Sequence, residues 1–164
     1  MFASATRRRG EFASLPVPPR PWAEISMGFI TEFPSSRCEN DVYDAILVVV
    51  DRFSEMSLYI PAKSIWTAED LADSLFEKLL LIYPGICGMV CDRRSPFTNS
   101  YWSAICYRIR IKRKSSTAFH PQRDGLIERQ NQTLEHYLRC YCNYKQDNWG
   151  SLLALAQHNY SSAQ

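Results

Sequence analysis

The sequence has no long apolar run, only three histidines and a net charge of just +2, and these absences exclude several classes of protein. No stretch approaches the roughly 18–20 apolar residues of a membrane-spanning helix, so a membrane protein is not expected. Three arginines at positions 7 to 9 precede no apolar stretch, so a secretory signal peptide is not predicted either. The small net charge gives no indication of nucleic-acid binding by itself.

Metal-binding cysteine spacings are also missing. The six cysteines contain no C-x-x-C pair, and no histidines stand at the spacing of paired zinc ligands. A zinc site is therefore not expected. Without a secretory context, the simplest interpretation is six reduced thiols, several of them buried as small apolar side chains.

The composition is that of one globular domain. The 164 residues are 46% hydrophobic, enough for a single core. Residues 1–21 combine arginines with a proline-rich stretch, which predicts a basic, extended linker. We expect the folded domain to span residues 22–164.

The periodicity of the apolar residues predicts alternating strands and helices. Strand-like segments are predicted at residues 24–33, 45–50, 57–62, 88–91 and 111–119. Helices are predicted from Thr67 to Pro84-Gly85 and at residues 101–109, 126–144 and 149–160, with a polar turn over 34–40 and a glycine-containing loop over 115–125. This order predicts an α/β fold with a mixed five-stranded sheet and flanking helices.

Two acidic residues stand out by position. Asp92 directly follows the buried strand predicted at 88–91, and Glu128 lies in the first turns of the long helix. Between them lie 35 residues (128 − 92 − 1). On position alone, each acid is more often a helix cap or a solvated charge than a functional group.

Five segments resemble, in chain order, the integrase core of gypsy-type LTR retrotransposons, with the nearest likeness to fungal elements. They are PWAEISMGFI, YDAILVVVDRFSEM, CDRRSPFTNSYW, KSSTAFHPQRDGLIERQNQTLEHYLRCY and QDNWGSLLALAQHNYSS. The most specific part is STAFHPQ-x-DG followed by E-R-x-N-Q-T-L-E. The resemblance runs from about residue 12 to the end of the sequence.

The resemblance implies a ribonuclease H-like fold of the retroviral integrase superfamily and a polynucleotidyl transferase that uses Mg²⁺ or Mn²⁺. It also implies DNA as the partner, pairing of two cores into a homodimer through helix faces, and a nuclear location. The family uses an aspartate on the first strand, a second after the fourth strand and a glutamate on a helix. Asp92 and Glu128 match the second and third of these catalytic, metal-binding acids, whereas Gly28 occupies the place of the first.

Glycine at position 28 predicts an inactive copy. Two Mg²⁺ ions about 3.5–4 Å apart carry out this chemistry, and the family's first aspartate bridges them, so metal binding here should be weakened or absent. Glu24 and Glu32 would share the face of Gly28 on a regular strand, but roughly 13 Å away at about 3.3 Å per residue. Ser26 is a weak, neutral ligand, and Asp51 matches a family aspartate that is not catalytic.

Basic residues around the two surviving acids suit contact with DNA phosphates, although a solvated basic face is the alternative. The candidates are Lys112, Arg113, Lys114, Arg123 and Arg129. Two supporting residues complete the set. His120 could approach the substrate or pack within its loop, and Asn131 should share the helix face of Glu128.

Further departures from the family suggest decay of an element copy. Leu126 and Ile127 replace two polar residues just before Glu128, and Gln157 replaces a family glutamate. Four hypotheses remain open: an inactive core that keeps some DNA binding, an active transferase with a substitute ligand, a host-recruited binding module, and a product without a role. A core without the zinc domain and DNA-binding domain that flank it in a full integrase is also expected to assemble poorly on element ends.

Overall fold

The computed structural model describes residues 16–91, 98–114 and 121–162, with the backbone alone for residues 121–124. The strands are β1 (Glu24–Ile30), β2 (Ser36–Cys38), β3 (Asp41–Tyr43), β4 (Ala45–Asp51), β5 (Ser57–Ala62), β6 (Gly88–Cys91) and β7 (Lys112–Arg113). The helices are α1 (Ala68–Leu75), which a π-helical turn over Phe76–Leu80 continues, α2 (Asn99–Ile109), α3 (Pro121–Tyr141) and α4 (Trp149–Ser162).

A mixed five-stranded sheet in the order β5-β4-β1-β6-β7 forms the centre of the domain. The central strand β1 is antiparallel to β4 and parallel to β6. All seven residues of β1 and of β4 are buried, because helices cover both faces of the sheet. The predicted mixed five-stranded sheet with flanking helices is therefore confirmed.

The two faces of β1 belong to separate apolar layers. Ile25, Met27 and Phe29 pack in the layer that contains buried residues of α1 and α2. Ile30, two positions from Gly28, packs with Val48 in the layer that contains α3 and α4. Because side chains alternate along a strand, a side chain at position 28 would enter this second layer.

Helix α1 begins where the sequence predicts it. Thr67 is the N-cap: its hydroxyl accepts a hydrogen bond from the Asp70 amide at 3.2 Å, and the Asp70 carboxylate accepts one from the Thr67 amide at 2.9 Å. The hydrogen bonds from the Thr67 backbone and side chain lower the pKa of Asp70.

Three predicted boundaries are wrong. Strand β1 ends at Ile30 rather than at 33, because Glu32 adopts a left-handed backbone with φ of 68°. The segment predicted as a polar turn over 34–40 contains β2 and the two-residue turn to β3. Only Lys112 and Arg113 of the strand predicted over 111–119 are strand residues; positions 115–119 lie outside the described residues.

Helix α3 begins at Pro121, five residues before the predicted start, and ends at Tyr141. Residues 121–125 are therefore helical, although they were predicted to lie in a loop. Proline suits the first turn of a helix, because its missing N–H would have no intrahelical partner there. Gly125 is tolerated inside the helix at a cost of about 1 kcal/mol relative to alanine.

Helix α4 is anchored at its start by residues of the β2 region. The Trp149 indole donates a hydrogen bond to the Pro34 carbonyl at 2.7 Å, and the Gly150 amide donates one to the Ser36 hydroxyl at 3.0 Å. A Cβ at position 150 would lie 3.0 Å from the Cys38 Cβ, which explains the glycine. Farther along α4, the Gln157 side chain accepts a hydrogen bond from the Tyr59 amide of β5 at 3.2 Å.

The remaining expectations concern the chain start, the thiols and membranes. Arg20, inside the predicted linker, donates a hydrogen bond to the Gly85 carbonyl at 2.7 Å, so the end of this segment contacts the domain. All six cysteines are free thiols, and burial raises the pKa of Cys106 to about 11. Among the described helices, none has the length and apolar content to cross a membrane.

Candidate functional site

Gly28 lies in the middle of β1, opposite Val48 of β4, on the face that α3 covers. On the other side of β1, the parallel pairing with β6 is described as far as Met27 and Cys91. Asp92 follows Cys91 directly in the chain but lies outside the described residues. The structure therefore brings the strand of Gly28, the end of β6 and the helix of Glu128 together.

Helix α3 presents an apolar stripe to the sheet and polar side chains on both flanks. Ile127, Leu134 and Leu138 are buried in the stripe. Glu128 is exposed, and Asn131 is half-buried three residues later. Because residues three apart are neighbours on a helix, these two side chains share one flank, as predicted from the sequence.

The opposite flank carries a polar residue that the sequence analysis missed. Gln130 is 1% exposed and accepts a hydrogen bond from the Tyr59 hydroxyl at 3.2 Å. Its amide nitrogen donates to the Tyr160 hydroxyl. Gln130 thus joins α3 to β5 and α4, and no signal in a single sequence links residues so far apart along the chain.

Two buried polar atoms on the elements around Gly28 have no hydrogen-bond partner within the described part of the chain. They are the Ser26 hydroxyl oxygen, on the same face of β1 as Gly28, and the Asn131 side-chain oxygen on α3. A buried polar group without a partner costs about 1–3 kcal/mol. Such atoms are few in folded proteins, and each one needs an explanation such as a bound water, ion or ligand.

Glu24 is on the same face as Gly28 but is occupied by two ion pairs. Its carboxylate accepts hydrogen bonds from Arg52, which follows β4, and from Lys114, which follows β7. Its side chain is 11% exposed. Glu24 therefore links β1 to the residues that directly follow β4 and β7. Glu32 lies beyond the end of β1, so the regular strand that would place it on the face of Gly28 is not present there.

The carboxylate of Asp51 is also occupied, because it accepts hydrogen bonds from residues around the start of β1 and the end of β4. Its carboxylate is completely buried and accepts hydrogen bonds from the backbone amides of Trp22 at 3.0 Å, Phe53 at 3.2 Å and Ser54 at 3.1 Å. The Ser54 hydroxyl donates a fourth at 2.7 Å. With four donors already bound, this carboxylate holds the start of β1 against the turn after β4.

The described side chains do not fit a two-ion site. Among them, no three His, Cys, Asp or Glu residues come together as metal ligands. Gly28 supplies no side-chain oxygen, and Ser26 offers a neutral hydroxyl that is a poor ligand for Mg²⁺ compared with a carboxylate. Glu128 is the one acid of the predicted set whose side chain is described, because Asp92 lies outside the described residues.

The predicted DNA-binding cations differ in how far they are already engaged. Arg113 donates to the Asn99 backbone and side-chain oxygens at 3.0 and 2.8 Å, and Lys114 pairs with Glu24. Lys112 is exposed, and Arg129 is exposed with a distant contact of 4.0 Å to Glu55. The side chain of Arg123 and the whole of His120 lie outside the described part of the chain.

The chain is similar to retrotransposon polyproteins along most of its length. It is 35% identical over 150 residues to the transposon Tf2-3 and Tf2-4 polyproteins of Schizosaccharomyces pombe. The match covers 90% of this chain and 11% of each polyprotein. No family model matches the chain.

Solved integrase structures share the fold. The catalytic core of BIV integrase superposes with a TM-score of 0.60 at 18% identity, covering 87% of this chain and 86% of that one. An intasome of simian T-cell lymphotropic virus, solved with the PP2A regulatory subunit B56 gamma, gives a TM-score of 0.55 at 20% identity over 84% of this chain and 47% of that one. By sequence the chain is a relative of the Tf2 retrotransposon polyproteins, of whose length it spans 11%, and it has the ribonuclease H-like fold of the solved integrase cores.

Proposed function

We propose that this chain is a retrotransposon integrase core that contacts DNA in the nucleus and does not transfer DNA strands. The observation that carries the proposal is the position of Gly28 on the buried face of β1 beneath α3. The family's first carboxylate would enter the domain there, next to the helix that bears Glu128. Glycine contributes no carboxylate, and Mg²⁺ depends on oxygen ligands in near-octahedral geometry.

Substitution by a neighbouring acid is disfavoured by the contacts of those acids. Glu24 pairs with both Arg52 and Lys114, and removing it would leave these two partly buried cations without that partner. Asp51 already accepts four hydrogen bonds. Asp92 and Glu128 remain as the pair that matches the family, and two carboxylates would bind a single Mg²⁺ or Mn²⁺ only weakly.

The contacts also divide the basic residues into two groups. Arg113 and Lys114 hold α2 and β1 in place, whereas the exposed side chains of Lys112 and Arg129 are available to phosphates. Phosphate contacts of this kind do not depend on base sequence and weaken with salt. We therefore assign the DNA contact to Lys112 and Arg129. The resemblance to integrase cores separately implies a second copy of the core as the partner in a homodimer.

Restoring the carboxylate tests the proposal. We expect no Mn²⁺-dependent cleavage or joining of a labelled DNA duplex by the unmodified chain. Gly28→Asp should bind Mn²⁺ at least about a hundredfold more tightly, because even outer-shell partners of metal ligands change affinity by about 10–100-fold. Calorimetric titration measures the binding, and Gly28→Asn, of the same size without the charge, is the control. Cleavage by the unmodified chain would refute the inactive site.

Charge reversal tests the DNA contact. Lys112→Glu should lower the affinity for duplex DNA at low salt and reduce the slope of log K against log salt by about 1, as expected for one lost phosphate contact. Lys145→Glu, the same charge change at an exposed position between α3 and α4, is the matched control. Fluorescence anisotropy at several salt concentrations gives both slopes. Equal slopes for the two variants would exclude Lys112 from the interface.

A further inference from the structure

A cavity of about 310 Å³ lies beside the end of β1, between the second half of α3 and the start of α4. Its apolar wall includes Ile30, Leu138 and Trp149, which are all buried. The ring of Phe33, also in the wall, packs against Trp149 with the ring centroids 5.4 Å apart. Ligand pockets span roughly 300–1,000 Å³, so this cavity suits a molecule as small as an amino acid.

Three charged side chains line the same cavity. Glu135 is half-buried, whereas Glu32 and Arg139 are exposed to solvent. Within the described part of the chain, none of the three side chains makes an ion pair or a hydrogen bond. Glu135 and Arg139 are four residues apart on α3 and therefore lie on one face of the helix, yet they do not pair with each other. All three charges thus remain available to a ligand.

The backbone around the cavity is unusual at two places. Glu32 has a φ of 68° and Gln146 a φ of 53°, and both residues line the cavity. Side chains other than glycine rarely adopt this left-handed conformation, and such residues concentrate at ligand sites. The left-handed Glu32 directly follows the end of β1 by two residues and so brings a carboxylate to the wall of the cavity.

We propose that this cavity binds a free basic α-amino acid of the lysine or arginine type. Glu135 accepts the α-ammonium group, and the Arg139 guanidinium donates two hydrogen bonds to the α-carboxylate. The aliphatic stem of the ligand lies on Leu138 and Trp149, and its terminal cation reaches Glu32. The two acids and one arginine give the wall a net charge of −1, which the ligand's net charge of +1 neutralises.

Other classes of ligand leave part of this wall without a partner. A phosphate or nucleotide brings only negative charge against two carboxylates. A diamine satisfies both carboxylates but places its positive charge near Arg139 and leaves the guanidinium without an acceptor. An apolar molecule removes water from all three charged groups and replaces none of their hydrogen bonds, which is costly. A basic amino acid gives each charged group an opposite charge.

The inference is independent of the proposed function. The residues that line the cavity include neither Gly28 nor Glu128, and they include neither of the exposed cations assigned to DNA, Lys112 and Arg129. Amino-acid binding and the loss of strand transfer can therefore be tested separately, and either result leaves the other unchanged.

Nuclear magnetic resonance of the tryptophan indole groups tests the site directly. The chain has four tryptophans, and the Trp149 indole N–H donates to the Pro34 carbonyl in the cavity wall. Titration with lysine or arginine should move the Trp149 indole signal until it saturates, while the signals of Trp22, Trp66 and Trp102 stay in place. No saturable movement of the Trp149 signal with either amino acid would overturn the inference.

Three analogues of lysine, each without one charged group, test the assigned contacts. They are ε-aminocaproate without the α-ammonium group, lysinamide without the carboxylate and norleucine without the terminal cation. Each should bind at least about fivefold more weakly than lysine, which corresponds to the loss of one favourable exposed ion pair. Equal affinities of lysine and all three analogues would mean that the stem alone drives binding, and the proposed recognition would be wrong.

Two variants locate the charged groups in the protein. Glu32→Gln should weaken lysine binding about fivefold and leave norleucine binding unchanged. Arg139→Gln should weaken lysine but not lysinamide. Glu39→Gln is the matched control, because Glu39 is exposed and left-handed like Glu32, with a φ of 56°, but does not line the cavity. Its lysine affinity should equal that of the unmodified chain. If Glu32→Gln and Arg139→Gln bound lysine as tightly as this control, the inference would be overturned.

Discussion

Asp51→Ala is expected to lower the free energy of unfolding by about 3–5 kcal/mol. The substitution removes the acceptor of four hydrogen bonds in a fully buried place and leaves the amides of Trp22, Phe53 and Ser54 without that partner. Each unsatisfied buried donor costs about 1–3 kcal/mol, and part of this cost is recovered where water can enter. Urea denaturation should show a lower midpoint with an unchanged slope.

Two comparisons separate this effect from a general loss of charge. Asp51→Asn keeps one accepting oxygen and should cost less than Asp51→Ala. Asp73→Ala removes an exposed carboxylate paired with Arg108 at 3.1 Å and should cost less than about 1 kcal/mol. If Asp51→Ala were as mild as Asp73→Ala, the carboxylate would not be fixed in the scaffold, and it would again be a candidate metal ligand.

Glu24→Gln is expected to be the second most damaging substitution, with a loss of about 3 kcal/mol. Glutamine keeps the volume of the side chain but leaves Arg52 and Lys114 close together without a counter-charge. Breaking a buried ion pair by removing one partner costs about 3–5 kcal/mol. The lower end applies because the Lys114 side chain is 34% exposed.

A control and a second measurement test the origin of this loss. Glu32→Gln changes an exposed acid beyond the end of β1 and should leave the urea midpoint almost unchanged. The double variant Glu24→Gln, Lys114→Met should recover part of the stability, because it removes one of the two cations left unpaired. A double variant less stable than Glu24→Gln would indicate that Lys114 stabilises the sheet independently of Glu24.

The main architecture could be predicted because it depends on local composition. The continuous apolar run of β4 and the capping box at Thr67 each specify an element from neighbouring residues alone. The hairpin of β2 and β3 could not be predicted, because each strand has three residues and neither shows alternation. The early start of α3 could not be predicted, because a segment that begins with Pro121 and ends with Gly125 is typical of a loop, although proline also suits the first turn of a helix.

The site could be predicted less completely than the fold. The sequence placed Glu128 and Asn131 on one flank of a helix and Gly28 on the first strand, and helix spacing and strand register support both placements. It grouped Lys114 with its basic neighbours, whereas the structure pairs it with Glu24, 90 positions away. Contacts between such distant positions leave no trace in the local pattern of one sequence.

Gln157, at a position where the family has a glutamate, affects whether copies of this chain can aggregate through the edge of the sheet. Strand β5 is the outermost strand on its side of the sheet, and an exposed strand edge can recruit a strand from another molecule. Here Pro61 has no amide hydrogen to offer, and Gln157 already accepts the hydrogen bond of the Tyr59 amide. Gln157 thus keeps protection against edge-to-edge aggregation, a requirement that holds whether or not the chain is catalytically active.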